Sequence, residues 1–579
     1  MSAPTIHRLT IKGFRGIKSL EWHPQPGMNV ILGGGDVGKT TLLDAISLLL
    51  SPTNPATLSD AEYHRRELTN GFTIEAVMHL PADTLVNQQS KPSWPWEWDG
   101  KAPVVPALGD GTAPGAPVYV LRVTGTPELE LNYEIVQPSG DTDHLTTGLR
   151  RAIGLVRLSG DDRNDRDLRL VQGSALDRLL SDKALRSRLG SKLPKSDVKD
   201  ALEDEAKETL VALDQAFEKN ALPNKLDLSI TGAQGITITA LIGLTADREG
   251  VQLPLSSWGA GTRRLAALAI AEHDQEACPI TLLDEAERGL EPYRQRLLIA
   301  KLQSGVSQVF VTTHSAAVVA AATSASIWYL DNSGQIGCLE RAKIGRHQRA
   351  QPETFLSRLA IVVEGAAEVG FVGALLEKAL GASTDQHGIY VSDGGGHENT
   401  LGLLQALSDA RLLFGGFVDD EGKHSGTLEK LGAKLGTLLF KWKSGCLEQN
   451  IINVLPAEAL EKFINDPDGS HTGERLRTLA DRLDLVPRDF VEIQAKAGDK
   501  VRELIIGAAT ASVPTGKEAE AKEYKKHGQR WFKTVEGGRE LLTKVFAFGL
   551  WPQVKDELLP FINAVRKAVA LAEMADMPQ

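Results

Sequence analysis

One glycine-rich turn constrains the fold of this chain more than any other feature of its sequence. The apolar run Val30-Ile31-Leu32 predicts a strand, Gly33-Gly34-Gly35-Asp36-Val37-Gly38-Lys39-Thr40 follows, and an apolar helix is predicted from Lys39 to Leu50. This is the pattern G-x-x-x-x-G-K-[ST] in its required setting, where backbone N–H groups at a helix N-terminus surround phosphates. The pattern predicts ATP with Mg²⁺ as the ligand. The predicted ATP-binding residues are Gly33, Gly35, Gly38, Lys39, Thr40 and Thr41.

A second predicted strand carries the acids that a nucleotide site needs. The run Ile280-Thr281-Leu282-Leu283 is apolar and ends in Asp284 and Glu285, about 245 residues after Lys39. We expect Asp284, together with Thr40, to hold Mg²⁺, and Glu285 to orient the water that attacks the γ-phosphate. A simple GTPase-like domain would not need so large an insertion between the two motifs.

The residues just before this acidic strand resemble the signature element of ABC-type ATPases of the RecF and SMC kind. The segment Leu255–Arg264 opens a predicted helix, although Trp258 interrupts the spacing found in transporter signatures. In that family the element binds the γ-phosphate held by a second subunit, so the resemblance implies a homodimer or a higher homo-oligomer. His314, after a predicted strand, resembles the family's γ-phosphate sensor. The implied signature residues are Ser257, Gly259 and Gly261.

Further along the chain, the ends of predicted strands carry a separate set of acids. The apolar strand Leu359–Val363 is followed by an acid and a glycine, and a second acid lies one helical turn later. The apolar run Gly415–Val418 is followed by three acids in succession. Because the ends of parallel strands meet at one edge of a sheet, we expect these carboxylates to lie close together. The candidate metal ligands are Glu364, Glu368, Asp393, Asp419, Asp420 and Glu421.

Clustered carboxylates suit Mg²⁺ or Mn²⁺, and two such ions can hydrolyse a phosphodiester. The arrangement resembles a Toprim domain, which has a strand-end Glu-Gly, a glycine turn after the next strand, and Asp-x-Asp after a third. Here the last element reads Asp419-Asp420-Glu421, so a glutamate replaces the second aspartate. The replacement keeps the charge but lengthens the side chain by one methylene.

An ABC-type ATPase followed by a Toprim domain is the organisation of the OLD (overcoming lysogenization defect) family of nucleases, and the Gabija anti-phage nuclease subunit is similar. The resemblance implies an ATP-regulated DNA endonuclease that acts on double-stranded DNA in phage defence, with a UvrD-like helicase as a candidate partner. It also implies Glu448 as a further metal ligand and Lys533 as a basic residue that assists cleavage; the alternative for Lys533 is a solvated helix lysine. The implied catalytic residues are Glu364, Glu368, Asp419, Glu421 and Lys533, with Glu285 for ATP hydrolysis.

The motifs predict an α/β fold: a RecF/SMC-like P-loop ATPase with a helical insertion, a Toprim domain and a mostly helical C-terminal region. The insertion is either a dimerisation arm or a hairpin packed on its own domain. The Trp-rich stretch Pro92–Pro117 is predicted to be a surface loop or lid, with its tryptophans partly buried against the domain; base stacking by them is the alternative. The predicted order is a first ATPase segment (1–160), the insertion (161–225), a second ATPase segment (226–345), the Toprim domain (355–465) and a region that completes the nuclease (466–579).

Composition excludes some classes of protein. A net charge of −11 argues against DNA binding through bulk positive charge. Residues 522–533 are nevertheless basic and aromatic, which favours phosphate contacts and base stacking. Arg65-Arg66 and Arg263-Arg264 are further candidates for DNA contact, and steadying the nucleotide is the alternative for one of them. The three cysteines form no Cys-x-x-Cys and no run approaches ~20 apolar residues, so we expect a cytoplasmic protein with no membrane partner.

The sequence is also compatible with three functions other than a DNA endonuclease. The first is a RecF-like DNA-repair ATPase whose Toprim domain does not cut. The second is a nucleotide sensor that acts through a partner protein. The third is a Toprim nuclease that processes RNA.

Overall fold

The described portion of the chain excludes nearly all of the predicted insertion. The structure is a computed structural model, and it describes residues 3–53, 58–81, 84, 86, 93–106, 115–158, 169, 171, 174, 211, 244–248, 251–273, 279–331, 334–419, 425–466, 469, 471–486 and 488–578. The predicted ligands Asp420 and Glu421 lie outside the described residues, as does Cys278. No helix of the described ranges is both long and apolar enough to cross a membrane.

The chain folds into two compact units. The first comprises Met1–Asn29 and Thr40–Thr313, and the second comprises Val30–Lys39 and His314–Gln579. The phosphate-loop segment and the residues from His314 onward therefore fold with the Toprim region, whereas the sequence places an ATPase boundary at residue 345. The α/β class predicted from the sequence is confirmed.

An antiparallel sheet dominates the first unit. Its strand order is β2-β1-β4-β7-β5-β6, and β8 pairs with both β7 and β9. Buried and exposed positions alternate along β8, as expected for strands with one face on a core. The strands are β1 (Thr5–Phe14), β2 (Ile17–Trp22), β4 (Phe72–His79), β5 (Trp96–Trp98), β6 (Pro103–Val104), β7 (Ala116–Gly125), β8 (Leu131–Val136) and β9 (Thr142–His144), and β3 (Met28–Leu32) precedes the phosphate loop.

The prediction of a loop over the Trp-rich stretch is wrong for its central residues. Trp96–Trp98 forms β5, which pairs with β7, and the Trp98 ring stacks on His7. Trp94 is 69% exposed, whereas Trp96 and Trp98 pack against a small cluster of buried valines. Strand pairing and this packing outweigh the turn-forming residues around them.

Three parallel strands carry the nucleotide motifs of the first unit. Their order is β10-β13-β14, and every residue of β13 and β14 is buried, as in strands covered on both faces. The predicted helix after the phosphate loop is confirmed as α1 (Lys39–Leu50). The other elements are α2 (Thr147–Ile153), β10 (Leu155–Leu158), β11 (Thr245–Arg248), β12 (Val251–Pro254), α3 (Ala260–His273), β13 (Ile280–Leu283), α4 (Pro292–Ser304) and β14 (Val309–Thr312).

A four-stranded parallel sheet forms the centre of the second unit. Its order is β18-β17-β19-β20, and β17 and β19 are buried throughout their lengths. The elements up to this sheet's last strand are α5 (Ala316–Ala321), β15 (Ser326–Leu330), β16 (Ile336–Leu339), α6 (Arg341–Ala350), β17 (Leu359–Val363), α7 (Ala366–Leu380), β18 (Ile389–Asp393), α8 (His397–Asp409), β19 (Phe414–Val418), α9 (Ser425–Leu435) and β20 (Leu439–Lys441).

The rest of the second unit is helical, as predicted. Its apolar residues share one buried core with β17 and α7. The helices are α10 (Leu447–Asn453), α11 (Leu460–Ile464), α12 (Thr472–Arg482), α13 (Phe490–Ala497), α14 (Val501–Ala509), α15 (Ala521–Arg530), α16 (Val535–Ala547) and α17 (Trp551–Ala568).

Two glycines allow α7 and α16 to pack with their backbones almost touching. A Cβ atom added to Gly370 would lie 1.8 Å from the carbonyl oxygen of Val535, and one added to Gly538 would lie 1.9 Å from that of Ala367. Neither position can therefore hold a larger side chain without a backbone shift. The contact fixes the start of α16, and with it the preceding segment that contains Lys533.

A buried ion pair supports the same segment. Arg475 is fully buried and donates two hydrogen bonds to Glu540, at 2.8 and 2.6 Å. It also donates to the carbonyl oxygens of Arg530 and Trp531, at 3.1 and 3.5 Å. Because the carboxylate and the carbonyls satisfy this guanidinium, its burial is tolerated. The chain just before Lys533 is thereby tied to α12 and α16.

The glycine contact can be tested with two substitutions in one helix. Gly370→Ala should destabilise the protein by about 1–3 kcal/mol, because the new methyl group overlaps the Val535 carbonyl. Gly373→Ala, whose added Cβ meets nothing nearer than 4.0 Å, should be neutral or stabilise by up to ~1 kcal/mol. Urea unfolding measures both, and equal effects would contradict the close contact.

Candidate metal centre and nucleotide site

The parallel register of the second unit places acids at one edge of its sheet. Val363, the last residue of β17, pairs with Asp393 on one side and with Phe417 on the other. Glu364 and Asp419 follow the ends of β17 and β19 directly. The backbone N–H of Asp419 donates to Glu364 Oε1 at 2.9 Å, which brings the two strand ends together.

The glycine turn after β18 supports the backbone at Glu364. Gly394 N donates to the carbonyl oxygen of Val363 at 2.7 Å, and Gly396 N donates to that of Glu364 at 2.8 Å. A Cβ atom at Gly394 would lie 1.9 Å from Thr400 Oγ1, so only glycine fits. The turn therefore holds the end of β17 through backbone hydrogen bonds.

Glu368 lies in the first turn of α7, near Glu364. Its side chain is buried. Burial, and then repulsion from Glu448, raises the pKa of Glu368 to about 7. A carboxyl group with this pKa is held among other acids and away from water.

Asp419 is the most perturbed acid of the cluster. It is 8% exposed, and burial followed by repulsion from Glu368 and Glu364 raises its pKa to about 8. Its Oδ1 atom is buried and accepts no hydrogen bond from any described residue. A buried carboxylate oxygen without a donor is costly, and a bound cation would remove that cost.

Glu448 brings a fourth carboxylate and is paired with Lys533. It lies in the first turn of α10, is fully buried, and accepts a hydrogen bond from Cys446 Sγ at 3.3 Å. Lys533 Nζ lies 3.1 Å from Glu448 Oε1. Burial alone would lower the pKa of Lys533, but attraction to Glu448 and Glu368 outweighs burial and raises it. The lysine is therefore charged, and it stands beside the acids rather than on a solvated helix.

The balance of charge in this cluster fits a divalent cation. Four acids interact there, and the raised pKa values of Glu368 and Asp419 indicate that the ion pair of Lys533 does not offset the repulsion among the ionised forms. Oxygen ligands of this kind suit Mg²⁺ or Mn²⁺. Within the described ranges no group of three or more potential ligands is already gathered in metal-binding geometry. The residues that could hold the ion are Glu364, Glu368, Asp419 and Glu448.

Two predicted ligands stand apart from this cluster. Asp393 Oδ1 accepts a hydrogen bond from Gly395 N at 2.8 Å, so its carboxylate closes the glycine turn. Glu421, the residue that departs from the Toprim pattern, lies outside the described residues. Their roles as ligands stay predictions.

His397, the first residue of α8, contacts Glu364 and was not predicted from the sequence. Its Nδ1 atom lies 2.9 Å from Glu364 Oε1. The only signal was its position directly after the glycine turn, where a helix N-terminus points at the same sheet edge. An ordinary polar residue at a helix start gives no reason to expect this contact.

The phosphate loop adopts the conformation that its glycines permit. Gly33 has φ 154° and Gly38 has φ 101°, and the segment continues through Gly35 into α1. Lys39 Nζ donates to the carbonyl oxygens of Gly33 and Gly34, at 3.0 and 2.6 Å. Thr41 follows in the first turn of α1.

The acidic strand meets α1 within the first unit. Asp284 Oδ1 accepts hydrogen bonds from Thr312 Oγ1 at 2.5 Å and from Thr40 Oγ1 at 3.3 Å. Thr40 and Asp284 are thus brought together, as a shared Mg²⁺ requires. Glu285 has φ 50° and is half exposed, with Arg288 Nη1 3.3 Å from its Oε2.

Arg264 supports the end of this acidic strand through hydrogen bonds to its backbone. It is 2% exposed and donates to the carbonyl oxygens of Asp284 and Glu285. Burial lowers its pKa to about 10. The suggestion that Arg264 contacts DNA is therefore wrong, since its guanidinium is inside the unit.

The signature residues divide into two kinds. Ser257 and Gly259 are exposed just before α3, as a surface for a second subunit would require. Gly261 is buried, and an added Cβ there would lie 2.1 Å from the carbonyl oxygen of Gly289. Gly261 therefore packs the signature helix against its own subunit. His314 is exposed just after β14.

The basic stretch near the C-terminus keeps its lysines but not its aromatic rings on the surface. Lys522, Lys525 and Lys526 are exposed on α15. Tyr524 and Trp531 are buried in the helical core, so base stacking by either ring is excluded. The remaining surface can contact phosphates only.

Comparisons with known families find ATPase-type domains followed by a Toprim domain. Residues 8–91 match a family described as an AAA domain, and residues 132–320 match one described as an AAA domain, putative AbiEii toxin, type IV TA system. Residues 355–414 match the Toprim domain of overcoming lysogenization defect protein-like proteins. The chain has the ATPase–Toprim architecture of the OLD family.

The chain also has a weak likeness to several solved structures. An SMC head bound to the C-terminal winged-helix domain of ScpA is 15% identical, with a TM-score of 0.35 over 59% of this chain and 99% of that one. A structure of the recombination mediator RecF is 14% identical, with a TM-score of 0.31 over 58% and 99%. The Smc head domain of Pyrococcus furiosus is 14% identical, with a TM-score of 0.33 over 59% and 98%. No curated protein matches the chain.

Metal-induced stabilisation tests the ligand set. Mn²⁺ at about 100 times its dissociation constant should stabilise the wild-type protein by about 2.7 kcal/mol. Asp419→Asn should lose this stabilisation, because it removes the buried carboxylate that faces the other three. Asp393→Asn should retain it, since the amide oxygen can still accept from Gly395 N. Thermal unfolding with and without Mn²⁺ measures the effect, and a loss of the same size in both variants would contradict this assignment.

Proposed function

We propose that this protein is an ATP-regulated, Mg²⁺- or Mn²⁺-dependent DNA endonuclease. The observation that carries the proposal is the cluster of four interacting acids, with Lys533 beside them, at the carboxyl edge of the β17–β19 sheet. A Toprim domain of the OLD type at residues 355–414 supports the same reaction class.

The chain's own residues supply the metal ligands and the local charge. Glu364, Glu368, Asp419 and Glu448 would hold the ions, with Glu421 as a predicted further ligand. Bound Mg²⁺ or Mn²⁺ lowers the pKa of a water molecule and neutralises the phosphodiester oxygens. The interactions of Glu364 with Asp419 N and His397 orient its carboxylate.

Lys533 is suited to a step that needs a cation. Its side chain is 36% exposed although its ammonium contacts Glu448, so it can reach from the cluster toward a bound strand. Its raised pKa keeps it protonated at neutral pH. We assign it to stabilising the charge that develops on the phosphate during cleavage.

The exposed charges fit the phosphate backbone of a nucleic acid, and the resemblance to OLD nucleases favours DNA. Lys522, Lys525 and Lys526 form a basic face on α15, which ends three residues before Lys533. In a protein with a net charge of −11, a local basic face on the helix that precedes Lys533 can position a phosphate backbone. This face carries no base-reading geometry, so cleavage without strong sequence preference is expected from it.

ATP would act between two subunits. The exposed Ser257 and Gly259 suit contact with the γ-phosphate bound by a partner copy, and Asp284 with Thr40 suits the Mg²⁺ that accompanies it.

The resemblance to the Gabija nuclease subunit supports a role in phage defence. The comparisons give no support to a UvrD-like helicase partner.

Nicking of a supercoiled plasmid in Mg²⁺ or Mn²⁺ tests the proposal. Glu364→Gln should lower the cutting rate at least about 100-fold, because loss of even an outer-shell contact costs about 10–100-fold in metal sites. Lys533→Met should lower the rate while leaving Mn²⁺ binding intact. Glu429→Gln, an exposed acid on α9, is the matched control and should cut normally.

The other outcomes separate the alternatives. Wild-type protein that binds ATP and DNA but cuts neither DNA nor RNA would replace the nuclease with a RecF-like ATPase. A biological activity abolished by Lys39→Ala but kept by Glu364→Gln would favour a nucleotide sensor. Cleavage of matched RNA but not DNA would move the substrate class to RNA.

A further inference from the structure

Helix α6 is tied at one side to the segment that follows the predicted γ-phosphate sensor. Gln348 Nε2 donates to the carbonyl oxygens of Val319 and Ala322, both at 2.8 Å. These carbonyls lie at the end of α5, which begins two residues after His314. Gln348 is buried, so water cannot readily replace these bonds.

The same helix is hydrogen-bonded to the glycine turn of the Toprim sheet. His347 Nε2 lies 3.0 Å from the carbonyl oxygen of Gly394, and Arg346 Nη1 donates to that of Gly395 at 3.4 Å. His347 is also buried. Adjacent residues of one short helix thus face two different segments.

Gln351, the residue that follows α6, adds a third connection to the turn. Gln351 Oε1 accepts hydrogen bonds from Ser392 Oγ and from the N–H of Asp393, both at 3.0 Å. Its Nε2 atom donates to the carbonyl oxygen of Asp393, also at 3.0 Å. The end of β18 and the start of the turn are therefore held by the end of α6.

The glycine turn supports Glu364, which lies at the candidate metal site. Gly396 N donates to the carbonyl oxygen of Glu364, and the next residue, His397, lies against the Glu364 carboxylate. A continuous set of hydrogen bonds therefore runs from α5 through α6 and the turn to Glu364. All of it lies within the second compact unit.

We propose that α6 transmits the state of the segment after His314 to the glycine turn that positions Glu364, with Gln348 and His347 as positioning residues. The inference rests on the proposed function, in which nucleotide occupancy controls cutting. A helix of ten residues is a rigid body about 15 Å long, so a shift at α5 moves the turn and the orientation of Glu364 with it. Neither positioning residue touches nucleotide, metal or DNA in this scheme.

Hydrogen exchange can follow this coupling without any cleavage. In the wild-type protein, ATPγS with Mg²⁺ should change the exchange rate of the Gly394–Gly396 amides at least about threefold, because the turn moves relative to the Val363 and Glu364 carbonyls that accept from it. Gln348→Met keeps the side-chain volume but removes both donors to α5, and should lose this nucleotide response. Arg349→Met is the matched control, since Arg349 is exposed and, among the residues that the structure describes, its Nε bonds to Gly345 of the same helix.

The exchange measurement can support or overturn the inference. The inference is overturned if the wild-type amides do not respond to ATPγS, or if Gln348→Met responds as the wild type does. Should Gln348→Met fail to fold, His347→Leu cuts the other side of α6 and is judged by the same criterion. Cleavage is measured in parallel: Gln348→Met should nick plasmid within about twofold of wild type without nucleotide, but should no longer respond to ATP.

The parallel assay separates this inference from the proposed function. A wild-type protein that shows the exchange response, lost in Gln348→Met, but cuts no nucleic acid would refute the nuclease and support the coupling. A protein that cuts DNA but shows no exchange response would support the nuclease and refute the coupling.

Discussion

Mutual repulsion among carboxylates at the end of β17 is the constraint on which the rest of this structure depends. Burial and the neighbouring acids raise the pKa values of Glu368 and Asp419 to about 7 and about 8. An arrangement of this kind is unfavourable unless cations or hydrogen-bond donors offset it. The parallel strand register and α10 bring acids to this point, the glycine turn holds the backbone of Glu364, and Lys533 brings a positive charge.

The helical C-terminal region therefore belongs to the site. Lys533 reaches Glu448 because α16 packs closely on α7 through Gly370 and Gly538, and because Arg475 holds the chain just before it. These contacts use buried backbone and a satisfied ion pair, which resist displacement more than surface contacts do. The Toprim sheet and the helices after it consequently act as one body.

Local patterns explain most of what the sequence predicted well. The phosphate loop, α1 and the two apolar strands that carry Glu364 and Asp419 follow from apolar periodicity and glycine turns. Glu448 and Lys533 were expected only through resemblance to a family, since the contact between them joins distant segments. The position of His397 after the glycine turn was too weak a signal to predict its contact with Glu364.

The predictions from the sequence that were wrong have a common physical cause. Tyr524, Trp531 and Arg264 look like binding residues by type, but each is buried by tertiary packing that local sequence does not encode. Trp96–Trp98 forms a strand because β7 offers it a partner. Residue types in the sequence thus indicate which kinds of contact are available. Long-range packing decides which of those side chains are exposed and able to bind a ligand.

Anomalous diffraction from crystals grown with Mn²⁺ and ATPγS tests the central claim most directly. We expect Mn²⁺ at the nucleotide site beside Thr40 and Asp284, and in addition one ion, or two about 3.5–4 Å apart, coordinated by oxygens of Glu364, Glu368, Asp419 or Glu448. Mn²⁺ at the nucleotide site with none at the carboxylate cluster would contradict the account.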